Sequence, residues 1–311
     1  MKRTLLLTLF AGIGLIAIGQ SSKNKPGKNN TEYNSLLWRI SGKDLTRPSY
    51  LFGTMHMVCA SDITISDSLK NAIRSADKVY LEIDMDNMAE MFMKMLMNPG
   101  AMTMRGDTTL SDLLTPGEYK KVKQFFEQSG NKLLPFAVME KMKPLLLQSM
   151  MIDRSGVCEN MIIMEQLVMD EAGKSNKEID GLETIDYQLG IFDKIPYKLQ
   201  AQGLVKMAED TTDGSGMEEL TKTYRSQQLG KLEELTMQDE SISQFADILL
   251  YNRNTAWANK LENLMKDKSL VIAVGAGHLP GDKGVISLLR KAGYKVEPVR
   301  NDMIKKPVKE I

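Results

Sequence analysis

Two short apolar segments, far apart in the sequence, each end in a Gly-x-x-His motif. The first is Tyr50-Leu51-Phe52 followed by Gly53 to His56, and the second is Leu270 to Val274 followed by Gly275 to His278. An apolar run bounded by a glycine turn is typical of a buried strand. Each histidine therefore lies at the carboxyl end of a predicted strand, where open α/β sheets bind ligands. The chain contains only these 2 histidines.

The same elements follow both motifs. A predicted helix at 68–76 leads to a predicted strand at 78–83, and a predicted helix at 285–291 leads to a predicted strand at 294–299. We therefore expect an α/β (α+β) fold whose central mixed sheet is built from two terminal strand–GxxH–helix–strand units. If both units join one sheet, the two histidines converge at one edge. A large helical insertion is expected at about 87–266.

Local signals organise this insertion. Thr115 and Glu118 form a capping box around Pro116, which predicts a helix reaching about residue 128. The apolar stretch 135–152 is interpreted as one helix kinked at Pro144. Residues 242–266 contain neither proline nor glycine and predict one long helix.

Several segments resemble the TraB/GumN family, which includes the animal TIKI metalloproteases. They are spread along the chain from residue 36 to residue 299, and the paired GxxH motifs with the Gly-His-Leu-Pro-Gly sequence at 277–281 are the most specific of them. The resemblance implies one domain at 36–300 and metal-dependent hydrolysis of peptide bonds. The segments are Tyr50–His56, Leu81-Glu82, Gly181–Thr184, Arg253-Asn254-x-x-Trp257 and Val274–Gly281.

Three residues are predicted to bind a divalent cation. His56 and His278 supply imidazole nitrogens, and Glu82 supplies a carboxylate oxygen. Two histidines and one carboxylate leave a coordination position for water, as in many hydrolytic metal sites. The ligand set does not choose between zinc, cobalt and manganese. The alternatives are structural histidines near turns and an outward-facing Glu82 on a half-exposed strand.

Two further residues are predicted to act in catalysis. The resemblance makes Glu183, at the end of a short predicted strand at 177–183, the candidate general base, and Arg253 is the candidate that stabilises the oxyanion. Glu183 could instead be a helix N-terminal carboxylate favoured by the helix dipole. Arg253 lies in an apolar stripe, where arginine is rare unless it is paired, but its side chain could also extend to the surface.

Composition limits the range of functions. The sequence has 40 basic and 40 acidic residues, and this balance argues against nucleic acid as a partner. A Gly-x-Ser-x-Gly motif is absent from the sequence, so a serine hydrolase is not supported. The expected partner is a peptide or protein substrate. The alternative is a non-catalytic protein that binds a peptide, haem or another small ligand at the same edge.

The N-terminus predicts export. Lys2 and Arg3 precede an apolar run at 5–18, which is typical of a cleaved signal peptide at 1–19 and is short for a membrane span. A flexible lead-in at 20–35 and a C-terminal tail at 301–311 would flank the domain. The mature protein would begin near Gln20 and be periplasmic or secreted, without a stable membrane span.

Export also permits a disulfide bond. The sequence contains 2 cysteines, Cys59 and Cys158. A bond between them and a pair of buried free thiols remain equal alternatives, because sequence does not give their separation.

Overall fold

The computed structural model describes residues 34–61, 63–85, 93, 97–128, 134–151, 160–209 and 215–304. Contacts divide the chain into two compact units. Among the described residues, the unit called here the sheet unit comprises 34–61, 63–85, 160–183 and 215–304. The helical unit comprises 93, 97–128, 134–151 and 184–209.

A six-stranded sheet, in the order β6-β4-β7-β2-β1-β8, is the centre of the sheet unit. Strands β6, β4, β7 and β2 run parallel to one another, and β1 is antiparallel to both β2 and β8. A separate antiparallel pair joins β3 and β5. The strands are β1 (Leu37–Ser41), β2 (Ser49–Thr54), β3 (Val58–Cys59), β4 (Lys78–Ile83), β5 (Met161–Ile162), β6 (Glu178–Glu183), β7 (Leu270–Gly275) and β8 (Lys295–Val299).

This sheet confirms the predicted α/β fold. The first terminal unit contributes β2 and β4, and the second contributes β7 and β8. Parallel strands cannot be joined by a tight hairpin, so a helix returns the chain between β2 and β4. Both β2 and β7 are apolar and largely buried, as expected for strands inside a covered parallel sheet.

Helices make up the rest of the regular structure. Helices α2 to α5, α7 and α8 belong to the helical unit, and the others belong to the sheet unit. Numbered along the chain, the helices are α1 (Asp67–Ser75), α2 (Leu110–Leu113), α3 (Pro116–Gln128), α4 (Phe136–Met139), α5 (Pro144–Met151), α6 (Met164–Lys174), α7 (Ile185–Phe192), α8 (Tyr197–Glu209), α9 (Ser215–Arg225), α10 (Leu229–Gln238), α11 (Glu240–Ser243), α12 (Asn252–Leu264) and α13 (Val285–Lys291).

The helical unit shows one confirmed and one wrong local prediction. Helix α3 begins at Pro116, and the Glu118 carboxylate accepts a hydrogen bond from the Thr115 backbone N–H at 2.8 Å, as the capping box predicts. The single kinked helix predicted at 135–152 is wrong. Between α4 and α5 the chain leaves the helix, and the Lys143 N–H donates to the Met102 carbonyl. Pro144 begins α5, at a position where its missing N–H costs no helical hydrogen bond.

The long helix predicted at 242–266 is also interrupted. After α11 the chain forms a π-helical turn at Asp247–Tyr251, and α12 follows at once. Such π turns inside helices are frequent at functional sites. Arg253 is the second residue of α12, two positions after this turn.

Some sequence predictions concern parts of the chain that the structure does not describe. Residues 1–33 and 305–311 lie outside the described residues, so the signal peptide, the mature N-terminus and the end of the tail stay predictions. The limits of the predicted domain and of its insertion are likewise untested. No helix among the described residues is long and apolar enough to cross a membrane. Cys59 is disulfide-bonded, and the only other cysteine of the sequence, Cys158, lies outside the described residues.

Candidate functional site

The candidate site lies in the sheet unit, at the edge formed by the carboxyl ends of the parallel strands. Strand β7 lies between β4 and β2, and all three are parallel to one another. The motif after β2 carries His56, and a short 3₁₀ turn after β7 carries His278. Glu82 is the penultimate residue of β4, and Glu183 ends β6. Strand order therefore places these four predicted site residues at one edge.

The first glycine of each motif allows a close approach that a side chain would prevent. A Cβ at Gly53 would lie 3.1 Å from both Cα and Cβ of Ala276, in the second motif. A Cβ at Gly275 would lie 3.2 Å from Oε1 of Glu82, and the Gly275 N–H donates to that oxygen at 2.8 Å. The glycines of the GxxH motifs thus join the two motifs and bring Glu82 against the backbone.

We expect Gly53→Ala to lower the free energy of unfolding by about 1–3 kcal/mol, because overpacking of a tight site costs this much. Gly230 is a matched control in α10, since a Cβ there would meet nothing within 4 Å. Gly230→Ala should stabilise the protein by about 0.5–1 kcal/mol, because alanine favours helices. Urea unfolding of both variants measures this. If both variants had the same free energy of unfolding, the two motifs would not need the close approach of Gly53 to Ala276.

Glu82 is a buried carboxylate held by a charge. Its Oε2 accepts a hydrogen bond from Nη2 of Arg253 at 2.6 Å. Burial alone would raise the pKa of Glu82, but the charge of Arg253, with contributions from His278 and His56, lowers that pKa to about 2. Glu82 is therefore ionised at neutral pH and faces inward, not toward solvent.

Arg253 is fully buried, with 0% of its surface exposed. Its Nε lies 3.1 Å from each oxygen of Glu183, and Nη2 donates to Oε2 of Glu183 at 2.9 Å. Its Nη1 donates to the carbonyl of Leu249, in the π turn. The guanidinium also lies over the ring of Trp257 at 4.7 Å. Burial lowers the pKa of Arg253, but the charges of Glu82 and Glu183 raise it by more. The pKa of Arg253 therefore lies above its usual value. Arg253 is thus a fixed internal cation that pairs with two carboxylates.

His278 is buried, and its tautomer follows from its neighbours. The amide nitrogen of Asn254 donates to the carbonyl of Lys283, so Oδ1 of Asn254 is the acceptor for the imidazole. Nδ1 of His278, which lies 2.6 Å from that oxygen, must therefore carry the proton. Nε2 then bears the lone pair and accepts from Nη1 of Arg253 at 3.2 Å. Burial first, and the charge of Arg253 second, lower the pKa of His278 to about 3.

His56 contacts a carboxylate, that of Glu165, which was not predicted from the sequence. Its Nδ1 lies 2.9 Å from Oε1 of Glu165, the second residue of α6. The same oxygen accepts a hydrogen bond from Thr54 at 2.7 Å. Burial raises the pKa of Glu165, but the contact with His56 and the hydrogen bond from Thr54 lower it overall. An acidic residue on the buried side of an apolar helix was the signal available in the sequence.

The structure thus brings four predicted site residues into direct contact. Glu82, Glu183 and His278 all meet Arg253, and His278 Nε2 lies 3.8 Å from Oε1 of Glu82. His56 is close enough for its charge to affect the pKa of Glu82 and that of His278.

Three carboxylates lie at this edge. Glu82 and Glu183 share the guanidinium of Arg253, and Glu165 contacts Thr54 and His56. Imidazole and carboxylate donors suit a divalent metal. As placed, no three His, Cys, Asp or Glu side chains of the described part of the chain are arranged to hold a metal. The donor chemistry fits a dication, although a coordination sphere is not formed.

Comparisons with known proteins agree with the sequence resemblance. Residues 36–298 match the model of the TraB/PrgY/gumN family. The chain is 23% identical to "Metalloprotease TIKI homolog" of Amphimedon queenslandica, over 86% of this chain and 62% of the relative. It is 25% identical to "Metalloprotease TIKI1" of Homo sapiens, over 93% of this chain and 68% of the relative.

A third relative, "Metalloprotease TIKI2" of Xenopus tropicalis, is 24% identical over 87% of this chain and 61% of the relative. The chain therefore spans about three fifths of the length of the sponge and frog relatives. No solved structure matches the chain.

Proposed function

Because the chain belongs to the TraB/PrgY/gumN family, we propose that it is an exported metal-dependent hydrolase that cleaves peptides or proteins. The observation that carries this proposal is the cluster of three carboxylates, Glu82, Glu165 and Glu183, beside His56 and His278, at the edge where the parallel strands end. The relatives are named metalloproteases, which agrees with it.

His56, Glu82 and His278 would hold the cation, which could be zinc, cobalt or manganese. When bound, such a cation polarises a carbonyl group and lowers the pKa of water. Asn254 keeps the proton on Nδ1 of His278, so that Nε2 remains the donor nitrogen. The N–H of Gly275 holds Oε1 of Glu82 in place.

Arg253 would stabilise the negative charge that develops on the oxygen of the scissile carbonyl. Its guanidinium is already oriented by Glu183, so little reorganisation is needed when that charge appears. Glu183 is the proposed general base. Its bond to Arg253 through both oxygens favours a second role, the positioning of Arg253. Glu183→Gln separates these roles, since loss of a base removes turnover, whereas loss of positioning lowers it partially.

A second candidate is a non-catalytic binding protein for a peptide, haem or another small ligand. The observation in its favour is that Arg253 already donates to both Glu82 and Nε2 of His278. An internal cation at this place reduces the need for a metal. In this case the same edge would bind an anionic group of the ligand.

The test uses chelator-treated protein, a peptide library and added zinc, cobalt or manganese. We expect cleavage to depend on one of these ions and to fall below detection in His56→Ala and His278→Ala, with the fold retained by circular dichroism. Lys43→Ala, at an exposed ion pair with Glu262, is the control and should cleave normally. Cleavage that survives chelation and both histidine substitutions would refute the proposal. Tight ligand binding without cleavage under any metal would favour the binding protein.

A further inference from the structure

The side chain of one helix residue, Glu165, contacts the first GxxH motif. Glu165 lies in the first turn of α6, and its carboxylate is buried. One oxygen of this carboxylate meets both Thr54, at the end of β2, and His56, in the following turn. The other oxygen, Oε2, is buried without a hydrogen-bond partner among the described residues. A carboxylate at a helix N-terminus is ordinarily exposed to water, so this burial is costly and needs a compensating role.

The second motif has a related arrangement. Nδ1 of His278 lies 2.6 Å from an oxygen of Asn254, on α12. Nδ1 of His56 lies 2.9 Å from an oxygen of Glu165, on α6. In each motif, a helix therefore supplies an oxygen to the same ring nitrogen. The two partners differ in charge, because Glu165 is a carboxylate and Asn254 is a neutral amide.

We propose that Glu165 is the positioning residue that keeps the proton on Nδ1 of His56 and so makes Nε2 the donor nitrogen. This inference rests on the proposed function in that Nε2 of His56 would then bind the divalent cation. An acceptor at the remote nitrogen of a metal-binding histidine fixes its tautomer and ring orientation, and a carboxylate also makes the ring more basic. The anionic partner makes His56 the stronger donor of the two histidines.

Nuclear magnetic resonance of the metal-free protein tests this directly. Since the chain has only 2 histidines, the ¹⁵N signals of its imidazole rings report the tautomer of each without overlap. We expect the Nδ1–H tautomer for both rings in the unmodified protein and in Glu165→Gln, which keeps an acceptor oxygen. In Glu165→Met, the His56 ring should lose this preference and the His278 ring should not. An Nε2–H tautomer of His56 in the unmodified protein overturns the proposal, whether or not the methionine variant folds.

Cation binding gives the second readout. Calorimetry with Mn²⁺ and the absorption spectrum with Co²⁺ should show affinity reduced about 10–100-fold in Glu165→Met and less in Glu165→Gln. Glu171→Gln, a buried glutamate of the same helix, is the control and should bind both ions normally. Equal affinity in all variants overturns the role of Glu165 toward the cation. If the unmodified protein binds neither ion but His56 shows the Nδ1–H tautomer, the proposed function fails and the positioning of His56 by Glu165 is supported.

Discussion

Replacing Arg253 with methionine is expected to lower the free energy of unfolding by about 3–5 kcal/mol, because removing one partner of a buried ion pair leaves uncompensated charge. Two carboxylates, Glu82 and Glu183, lose their guanidinium partner in this variant. The carbonyl of Leu249 and Nε2 of His278 also lose a donor. Methionine fills much of the volume of arginine, so the effect should reflect charge more than a cavity. Urea unfolding of metal-free protein at neutral pH measures it.

Further variants separate charge from packing. Arg253→Lys keeps the charge but loses the planar pairing with Glu183, so an intermediate loss is expected. Adding Glu82→Gln and Glu183→Gln to Arg253→Met should recover part of the stability, because neutral amides are less costly to bury than carboxylates. Lys43→Met, at an exposed ion pair, should change stability by less than about 1 kcal/mol. If Arg253→Met also changed the free energy of unfolding by less than about 1 kcal/mol, the internal cation would not stabilise the fold.

The fold was predictable where one local pattern was repeated. Apolar runs that end in GxxH, followed by a helix and a strand, gave both terminal units, and these share one sheet. The interrupted helices were not predictable in the same way. A proline inside an apolar stretch is compatible with a kink or with the start of a new helix. Here the Lys143 N–H donates to the Met102 carbonyl instead of to a helical carbonyl, so a new helix begins at Pro144. That contact joins residues that are distant in sequence.

The candidate site was predictable only in part. Strand ends and the family resemblance pointed to His56, Glu82, Glu183, Arg253 and His278, and their functional roles stay predictions. Glu165 was missed because it lies in a helix whose neighbouring residues suggest plain core packing. Its partner Thr54 lies in β2, and only tertiary structure shows that α6 brings the carboxylate to that strand. The acceptors that orient a histidine are set by packing between elements, which a single sequence does not reveal.

The second large effect concerns acid. We expect the stability of the metal-free protein to fall as pH decreases from about 6.5, and His278 should cause part of this fall. The pKa of His278 is about 3 in the folded chain, against 6.5 for an unperturbed histidine. Below pH 6.5 the unfolded chain takes up a proton at this residue, whereas the folded chain does not until pH approaches 3. Acid therefore favours the unfolded state by about 1.4 kcal/mol per pH unit for this one proton.

His278→Gln isolates this contribution, because glutamine does not titrate. Between about pH 6 and pH 5 its stability should depend on pH less steeply than that of the unmodified protein, by about 1.4 kcal/mol per pH unit. This window lies above the range from 4.5 to about 2 in which protonation of Glu82 would add its own loss. Urea unfolding in the presence of a chelator, at several pH values, gives both slopes. Lys43→Gln is the control and should keep the slope of the unmodified protein, because Lys43 does not titrate in this window. Equal slopes for His278→Gln and the unmodified protein would mean that the folded chain protonates His278 as readily as the unfolded chain, which contradicts its burial beside Arg253.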